Sequence, residues 1–538
     1  MASGRETAVS LVRKYVARIR ALDFGGPRLN SVIELNPSAE AIARRLDAER
    51  RAGHVRGPLH GIPLLVKDNI DTADAMQTAA GSLALVGRAP MRDSTVAGKL
   101  RRAGVVLLGK SNLSEWANFR SFHSSSGWSG RAGQCLNPYV LDRSPCGSSS
   151  GSAAAAAASL CAASVGTETD GSIVCPAGMN GVVGMKPSVG LTSRAGVVPI
   201  SHSQDSVGPH GRTVADVATV LAALVTTVAD PRDPATGPAA AAGRRFVRQW
   251  RRHLDQHGLR GARIGIPRTG VFDFVTEEVV PVFDQVVGAM ERAGATIVDP
   301  ADIPTMAQIN AGTEELTVLV YEFKRDISAY LATRRGVALD REGFPRTLAG
   351  LIAFNQTHAA RELKWFLQEL FDLSQSSPFD RATYQQALAK ERQLGGPEGI
   401  DAALSAHNLD ALIVPTTAPA FTIDLINGDH FSFGTSSAAA IAGYPIINLP
   451  AGESFGLPIG VSLMGTRFSE LELIKLASGL EAATKARRRP HFKASVGVRD
   501  DTSPHAPTPP SAATRRNAPP RQTRPPNPAT QRTPLRTL

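Results

Sequence analysis

Three stretches of this chain carry side chains whose types and spacing could do chemistry. The first is SPCGSSSGSAAAAAAS, residues 144–159, where Ser148, Ser149 and Ser150 sit between Gly147 and Gly151 and run straight into alanine. Such a cluster admits a flexible linker, a phosphate-binding turn or a hydrolase nucleophile, and a serine hydroxyl becomes a nucleophile only when a base takes its proton. The second is GTETDGSIVCPAGMNGVVGMKP, residues 166–187, which sets Gly171 and Ser172 beside the backbone N–H groups of a turn. Donors in such a turn can be aimed where negative charge develops during acyl transfer. Ser148 lies 24 residues before Ser172, across the alanine tract. The third is GIPLLVKDNID, in which Lys67 follows an apolar run. A lysine there is commonly a surface or ion-paired residue, but desolvation would lower its pKa and make the neutral amine a base.

Two other patterns are decoys. Residues 104–111, GVVLLGKS, satisfy the phosphate-loop pattern G-x-x-x-x-G-K-[ST], whose chemistry needs an open loop wrapping a phosphate. Here the central residues are Val105, Val106, Leu107 and Leu108, which suit a buried strand. Gly104 follows a helical stretch and reads as its C-terminal glycine. Lys110 is therefore expected to be dispensable for folding and rate. Residues 147–151, GSSSG, match the nucleophile elbow G-x-S-x-G with Ser149 at the centre, but an elbow needs a preceding strand, and NPYVLDRSPC is a loop. His60, His123, His202 and His210 lie near these motifs, so a Ser-His-Asp arrangement is the rival to a lysine base. Cys135, Cys146, Cys161 and Cys175 have no CxxC spacing, which excludes the usual zinc patterns and leads us to expect reduced thiols, with Cys146 and Cys175 as small apolar packing.

Positioning these residues demands a large scaffold. Apolar runs bounded by turn signals (IPLLVKD, GVVLLGKS, ARIGIPR, LDALIVPT, YPIINLPAG, GLPIGVSLMG) alternate with helical stretches such as STVAGKLRRAG and ELELIKLASGLEAATKA. That alternation predicts an α/β fold, one large domain with a central twisted mixed sheet covered by helices on both faces. The alanine tract reads as a helix buried in protein, being too short and weakly apolar to span a bilayer. With 538 residues, 42% hydrophobic and 20% charged, the chain can build a sizeable core. The N-terminus, MASGRETAVSLVRKYVARIRALDFG, reads as an amphipathic helix rather than a signal peptide, so a cytoplasmic location is expected. The domain is expected to span residues 1–490 and a disordered Pro/Arg-rich tail residues 491–538. From Asp501 on, ten prolines and six arginines accompany almost no large apolar side chain. The tail carries +5 of the net charge of +11, but no aromatic residues interleave with its arginines, so no nucleic-acid partner is expected. No membrane partner is expected either, and the oligomeric state is left open. The basic stretch GRRFVRQWRRHLDQHG reads as the wet face of a helix.

The three chemical stretches, taken in order, resemble the amidase signature family of serine hydrolases. That family carries G-[VI]-P-x-x-[VI]-K-D with a base lysine, matching Lys67. It carries G-[GS]-S-S-[GS]-G-S with its first serine on a cis peptide bond, matching Ser148. It carries G-T-D-x-G-G-S-I with the nucleophile, matching Ser172. The likeness runs from the helix near residue 8 to GLPIGVSLMGTRFSELELIKLASGLEAAT. Within the family it is most similar to bacterial peptide amidases, through SEWANFRS, SSSGWSGRAGQ, NPYVLDRSPCGSSSGSA, GTETDGSIVCPA and ISHSQDSVGPHGRTVADVA. The resemblance implies a Ser-cisSer-Lys triad of Ser172, Ser148 and Lys67. It also implies an oxyanion hole of backbone N–H groups at Thr169, Asp170, Gly171 and Ser172, with no metal or cofactor. The implied substrate is a small-molecule or peptide amide, with residues 118–128 at the mouth of the site. Asp170 stands where much of the wider family has glycine, and its carboxylate is expected to bias what enters. Ser149, Ser150 and Ser152 are expected to be structural hydrogen-bonders. The alternative function is the glutaminase component of a tRNA-dependent amidotransferase, which resembles the same family.

Overall fold

The computed structural model describes residue 1 and residues 4–497. Eleven strands form one mixed sheet: β1 (Val32–Leu35), β2 (Pro63–Lys67), β3 (Val106–Ser111), β4 (Ala163–Glu168), β5 (Val183–Lys186), β6 (Ser206–Gly211), β7 (Arg263–Gly265), β8 (Thr296–Val298), β9 (Ala411–Pro415), β10 (Ile446–Ser454) and β11 (Leu457–Met464). Their spatial order is β1-β3-β2-β4-β6-β5-β10-β11-β9-β7-β8. β2 pairs in parallel with both β3 and β4, β7 pairs in parallel with β8 and β9, and the strands between are antiparallel. This is the expected α/β domain with a mixed central sheet.

Side-chain alternation explains why helices cover both faces. In β2, Leu64 and Val66 pack with Val96, Leu100, Val220 and Leu224, while Leu65 packs with Val12, Ile19, Leu46 and Ala155. In β3, Leu107 joins the first group and Val106 and Leu108 the second. Successive residues of a strand point to opposite faces, so a strand apolar at every position must be covered twice. β2, β3, β4 and β6 are buried along their whole length. A further helical region, including Glu314–Thr333 and Leu348–Thr357, packs its Phe323 and Phe354 with Trp116 and Phe119.

The alanine tract forms the helix Ser150–Ala157, every residue of it buried. Its small side chains let backbone lie against backbone: a Cβ on Gly151 would stand 2.2 Å from Ser31 O and 2.6 Å from Asn112 O. Beyond the expected boundary at residue 490, Phe492 and Lys493 still donate backbone hydrogen bonds to Pro138 O and Tyr139 O. The expected tail from residue 498 on lies outside the described residues. Among the described residues no helix is long and apolar enough to cross a membrane.

GVVLLGKS is a strand and not a phosphate loop. Gly104 closes the preceding helix at φ +82° and Val106–Ser111 is β3. Lys110, however, is built into the core, against the expectation that it is dispensable. It is fully buried, and its Nζ donates to Ile70 O at 2.5 Å and Thr78 Oγ1 at 2.8 Å beside the buried Asp68 and Asp71. Deleting it leaves Ile70 O only the longer bond from Thr78 Oγ1, at 3.3 Å, and removes the charge that faces two carboxyls. Lys110→Ala should therefore lower unfolding stability by about 3 kcal/mol or more, measured by denaturant titration; a change within about 0.5 kcal/mol would contradict the role.

Candidate active site

Three sheet-borne segments converge. Lys67 ends β2, the Gly147–Ser148 peptide, which is cis, leads into the alanine helix, and Thr167–Ser172 continues from β4 into a turn. The pairing of β2 with β4 sets Val66 opposite Val165 and carries the Lys67 side chain to the end of β4. Lys67 Nζ lies 2.7 Å from Ser148 Oγ, 2.9 Å from Thr167 Oγ1 and 3.2 Å from Thr167 O. Thr167 Oγ1 also accepts from Asn69 Nδ2 at 3.0 Å. Lys67 is completely buried, and burial pushes its amine down to about 7, against the opposing pull of Asp205 and Glu168.

Ser149 laces the two serine segments together. Its N–H donates to Ser172 O at 3.1 Å, its hydroxyl donates to Thr167 O at 2.9 Å, and it accepts from Thr167 N at 3.2 Å. Ser150 Oγ donates to Cys146 O at 2.6 Å, and Ser152 Oγ lies 2.7 Å from Ser111 Oγ. These three serines are structural hydrogen-bonders, as expected. Ser172 is brought beside Ser148 through its backbone, but its hydroxyl makes no hydrogen bond among the described residues.

The turn that carries Ser172 is held from both ends. Gly171 sits at φ +76°, a conformation that favours glycine. Glu168 accepts from Ile173 N at 2.5 Å and Val174 N at 2.9 Å, capping the helix Val174–Met179. Thr169 Oγ1 donates to Asp205 Oδ1 at 2.6 Å. With the next N–H groups consumed by Glu168, those of Thr169, Gly171 and Ser172 donate to no protein acceptor among the described residues. Buried backbone donors are nearly always paired, so a buried turn with open donors is suited to an anionic oxygen.

The Asp170 carboxylate accepts from the hydroxyls of Ser436 and Ser437, tying the turn to the helix Ser437–Ala442. One expectation is corrected. Cys146 and Cys175 are not reduced packing residues but a disulfide, with Cα atoms 6.0 Å apart. Their separation of 29 residues hides the pairing in the sequence; the fold sets one before Ser148 and the other after Ser172. A disulfide is out of keeping with a reducing compartment, so the cytoplasmic expectation loses its cysteine argument. Cys135 and Cys161 are free and buried.

Three of the four candidate histidines are held by other partners. His210 Nε2 lies 3.1 Å from Ile173 O, and burial lowers its pKa to about 4. His60 Nε2 lies 2.9 Å from Leu46 O, and His202 Nδ1 lies 2.7 Å from Asp326 Oδ2. Within residues 118–128, Arg120 donates to Glu115 Oε1 at 2.9 Å and stacks 4.2 Å from the Phe366 ring, while Ser126 N donates to Asp429 Oδ1 at 2.9 Å. None of these bonds reaches Lys67, Ser148 or Ser172. Thr167, Glu168, Asn69 and Asp205 went unassigned from sequence although they lie inside or beside the motifs. Small polar residues next to a buried charge were the available signal.

The model of the amidase family matches residues 10–474. The chain belongs to the amidase signature family. It is therefore a hydrolase of carbon–nitrogen amide bonds. A protein of Arabidopsis thaliana described as a probable amidase is 41% identical over 496 residues, covering 91% of this chain and 89% of that one. A glutamyl-tRNA(Gln) amidotransferase component of Symbiobacterium thermophilum is 30% identical over 499 residues, covering 89% and 97%. The native peptide amidase of Stenotrophomonas maltophilia superimposes with a TM-score of 0.84 at 49% identity, covering 91% and 96%. A peptide amidase bound to the competitive inhibitor chymostatin gives 0.85 at 50%, covering 91% and 97%.

Two measurements follow from this geometry. Alkylation of the denatured, unreduced chain should label two thiols, rising to four after reduction; four labels without reduction would refute the disulfide. The second is linkage. Lys67 falls from 10.5 to about 7 on folding, so the unfolded chain binds more protons between those values and stability rises with pH across that window. Against Lys67→Met, which lacks the titration, the wild type should gain about 2 kcal/mol between pH 7 and pH 9. Parallel stability curves would contradict the burial of a neutral amine.

Proposed function

We propose that the protein is a serine amidohydrolase using Ser172, Ser148 and Lys67, and that its substrates are C-terminal peptide amides, cleaved to a carboxylate and ammonia. The observation that carries this reading is the 2.7 Å approach of Lys67 Nζ to Ser148 Oγ, both side chains being fully buried. A neutral amine has two N–H groups and one lone pair. Thr167 O only accepts, and Thr167 Oγ1 accepts from Asn69 as well, so both N–H groups are drawn to Thr167. The lone pair is left to the Ser148 hydroxyl. Ser148 gives its proton to Lys67 as it takes the proton of Ser172, a step that requires the Ser172 hydroxyl to turn toward it as substrate enters.

Ser172 Oγ then bonds to the amide carbon, and the carbonyl oxygen takes the electron pair. The backbone N–H groups from Thr169 to Ser172 receive that oxyanion. The proton returns through Ser148 to the nitrogen, the C–N bond breaks and ammonia leaves. Water, losing its proton along the same path, opens the acyl-serine ester. Peptide amides are the preferred substrate class because the identity to peptide amidases, 49–50%, exceeds the 30% to an amidotransferase component. The reading as a glutaminase component is second for the same reason.

Release of ammonia from a peptide amide tests this reading against simple aliphatic and aryl amides. Ser172→Ala should reduce turnover to background and abolish acyl-enzyme. Lys67→Ala and Ser148→Ala should each cost roughly a thousandfold or more, and pairs little more than the worst single change. Ser149→Ala should be milder. Because the base is the neutral amine, kcat/KM should fall as pH drops through about 7. A dead Ser149→Ala beside an active Ser172→Ala would overturn the assignment.

A further inference from the structure

At the far end of the alanine helix lies a cavity of about 700 Å³ that the proposed chemistry does not use. Arg18, Arg212, Lys485, Arg487 and Arg489 line it, with Glu481 as its one carboxylate. Three of the arginines reach the helix end: Arg18 Nε donates to Ala158 O at 2.8 Å, Arg487 Nη2 to Ala157 O at 3.2 Å, and Arg212 Nη1 to Ala156 O at 3.3 Å and Cys161 O at 2.8 Å. The last carbonyls of a buried helix need donors, and these contacts supply them. They do not explain the amount of charge. Each carbonyl needs one N–H, whereas a guanidinium brings five and a full positive charge.

That charge is only partly compensated, by Asp216 in the first turn of the helix Val214–Leu224 and by Glu481. Glu481 is engaged with Val214 N at 2.9 Å, and none of the five cations forms an ion pair among the described residues. The buried Arg487 Nε has no hydrogen-bond partner. Burial, with Arg212 and Arg489 alongside, pushes the Arg487 guanidinium below its ordinary pKa against the opposing pull of Tyr139 and Asp216. The helix Val214–Leu224 begins at the same wall, Thr213, with its start capped by Asp216 and Glu481. Arg489 makes no hydrogen bond among the described residues, so helix capping does not account for it.

We propose that this cavity binds a multiply charged oxyanion of the phosphate class. Guanidinium forks match the paired oxygens of a phosphoryl group, and several converging arginines suit an anion of more than one charge. The site lies at the opposite end of the alanine helix from Ser148, so its occupant would share that helix with the serine cluster without touching it.

Isothermal titration of the full chain with inorganic pyrophosphate, at ionic strength matched with chloride, tests the proposal. One saturable site is expected. Arg487→Gln and Arg489→Gln should each weaken it about tenfold, the loss of one charge-assisted contact, while the exposed Arg252→Gln should not. Arg489 supports no helix carbonyl, so its variant keeps the test decisive if Arg487→Gln fails to fold. Absence of saturable binding would overturn the proposal. So would binding unchanged in both variants, which would place the anion on arginines elsewhere, including those beyond residue 498. Tighter binding of citrate than of pyrophosphate would overturn the phosphate class in favour of a polycarboxylate.

Discussion

Everything at this site depends on keeping the amine of Lys67 out of water. Moving its pKa from 10.5 to about 7 corresponds to roughly 5 kcal/mol of lost preference for the charged form. Such a cost is borne only by a scaffold with a large surplus, and the eleven-strand sheet supplies one. β2 is the third strand from one edge, flanked on both sides by parallel partners and covered on both faces. Its last residue is therefore held in register and dry. The acidic groups nearest it, Asp205 and Glu168, are themselves committed: Asp205 to Thr169, Ile200 and Ser201, Glu168 to Ile173 and Val174. They temper the amine's pKa without forming an ion pair that would fix it in the charged state.

The second constraint is backbone lacing. Ser114 N donates to Ser148 O, Ser149 N to Ser172 O, and Ser149 Oγ to Thr167 O. The disulfide between Cys146 and Cys175 joins the same two segments from outside. The segments carrying the proposed base, relay and nucleophile are thus placed by main-chain contacts. Most serines of the cluster build the site, which is why the run is so dense.

Much of this was legible in the sequence, for physical reasons that differ by element. β2, β3, β9, β10 and β11 announce themselves because continuous branched apolar runs mark strands buried on both faces. β4, β5 and β6 do not: ASVGTE, VGMK and SVGPHG are rich in glycine and small polar residues. They lie where backbone meets backbone, so that a Cβ on Gly208 would stand 2.0 Å from Met185 O. The positions of the proposed triad stand out because their motifs are local. Thr167, Asn69 and Asp205 do not, because their roles arise from convergence of segments far apart in the chain. The disulfide is hidden for the same reason, and the burial of Lys110 is masked by the decoy motif it sits in.

The central claim is that Lys67 is a neutral amine near physiological pH. Heteronuclear NMR of lysine-labelled protein, with Lys67→Met to assign the resonance, measures its titration directly. A midpoint near 7 is predicted. A resonance that stays in the ammonium position up to the ordinary lysine value of 10.5 would contradict the account, because the residue beside Ser148 would then be a charge and not a base.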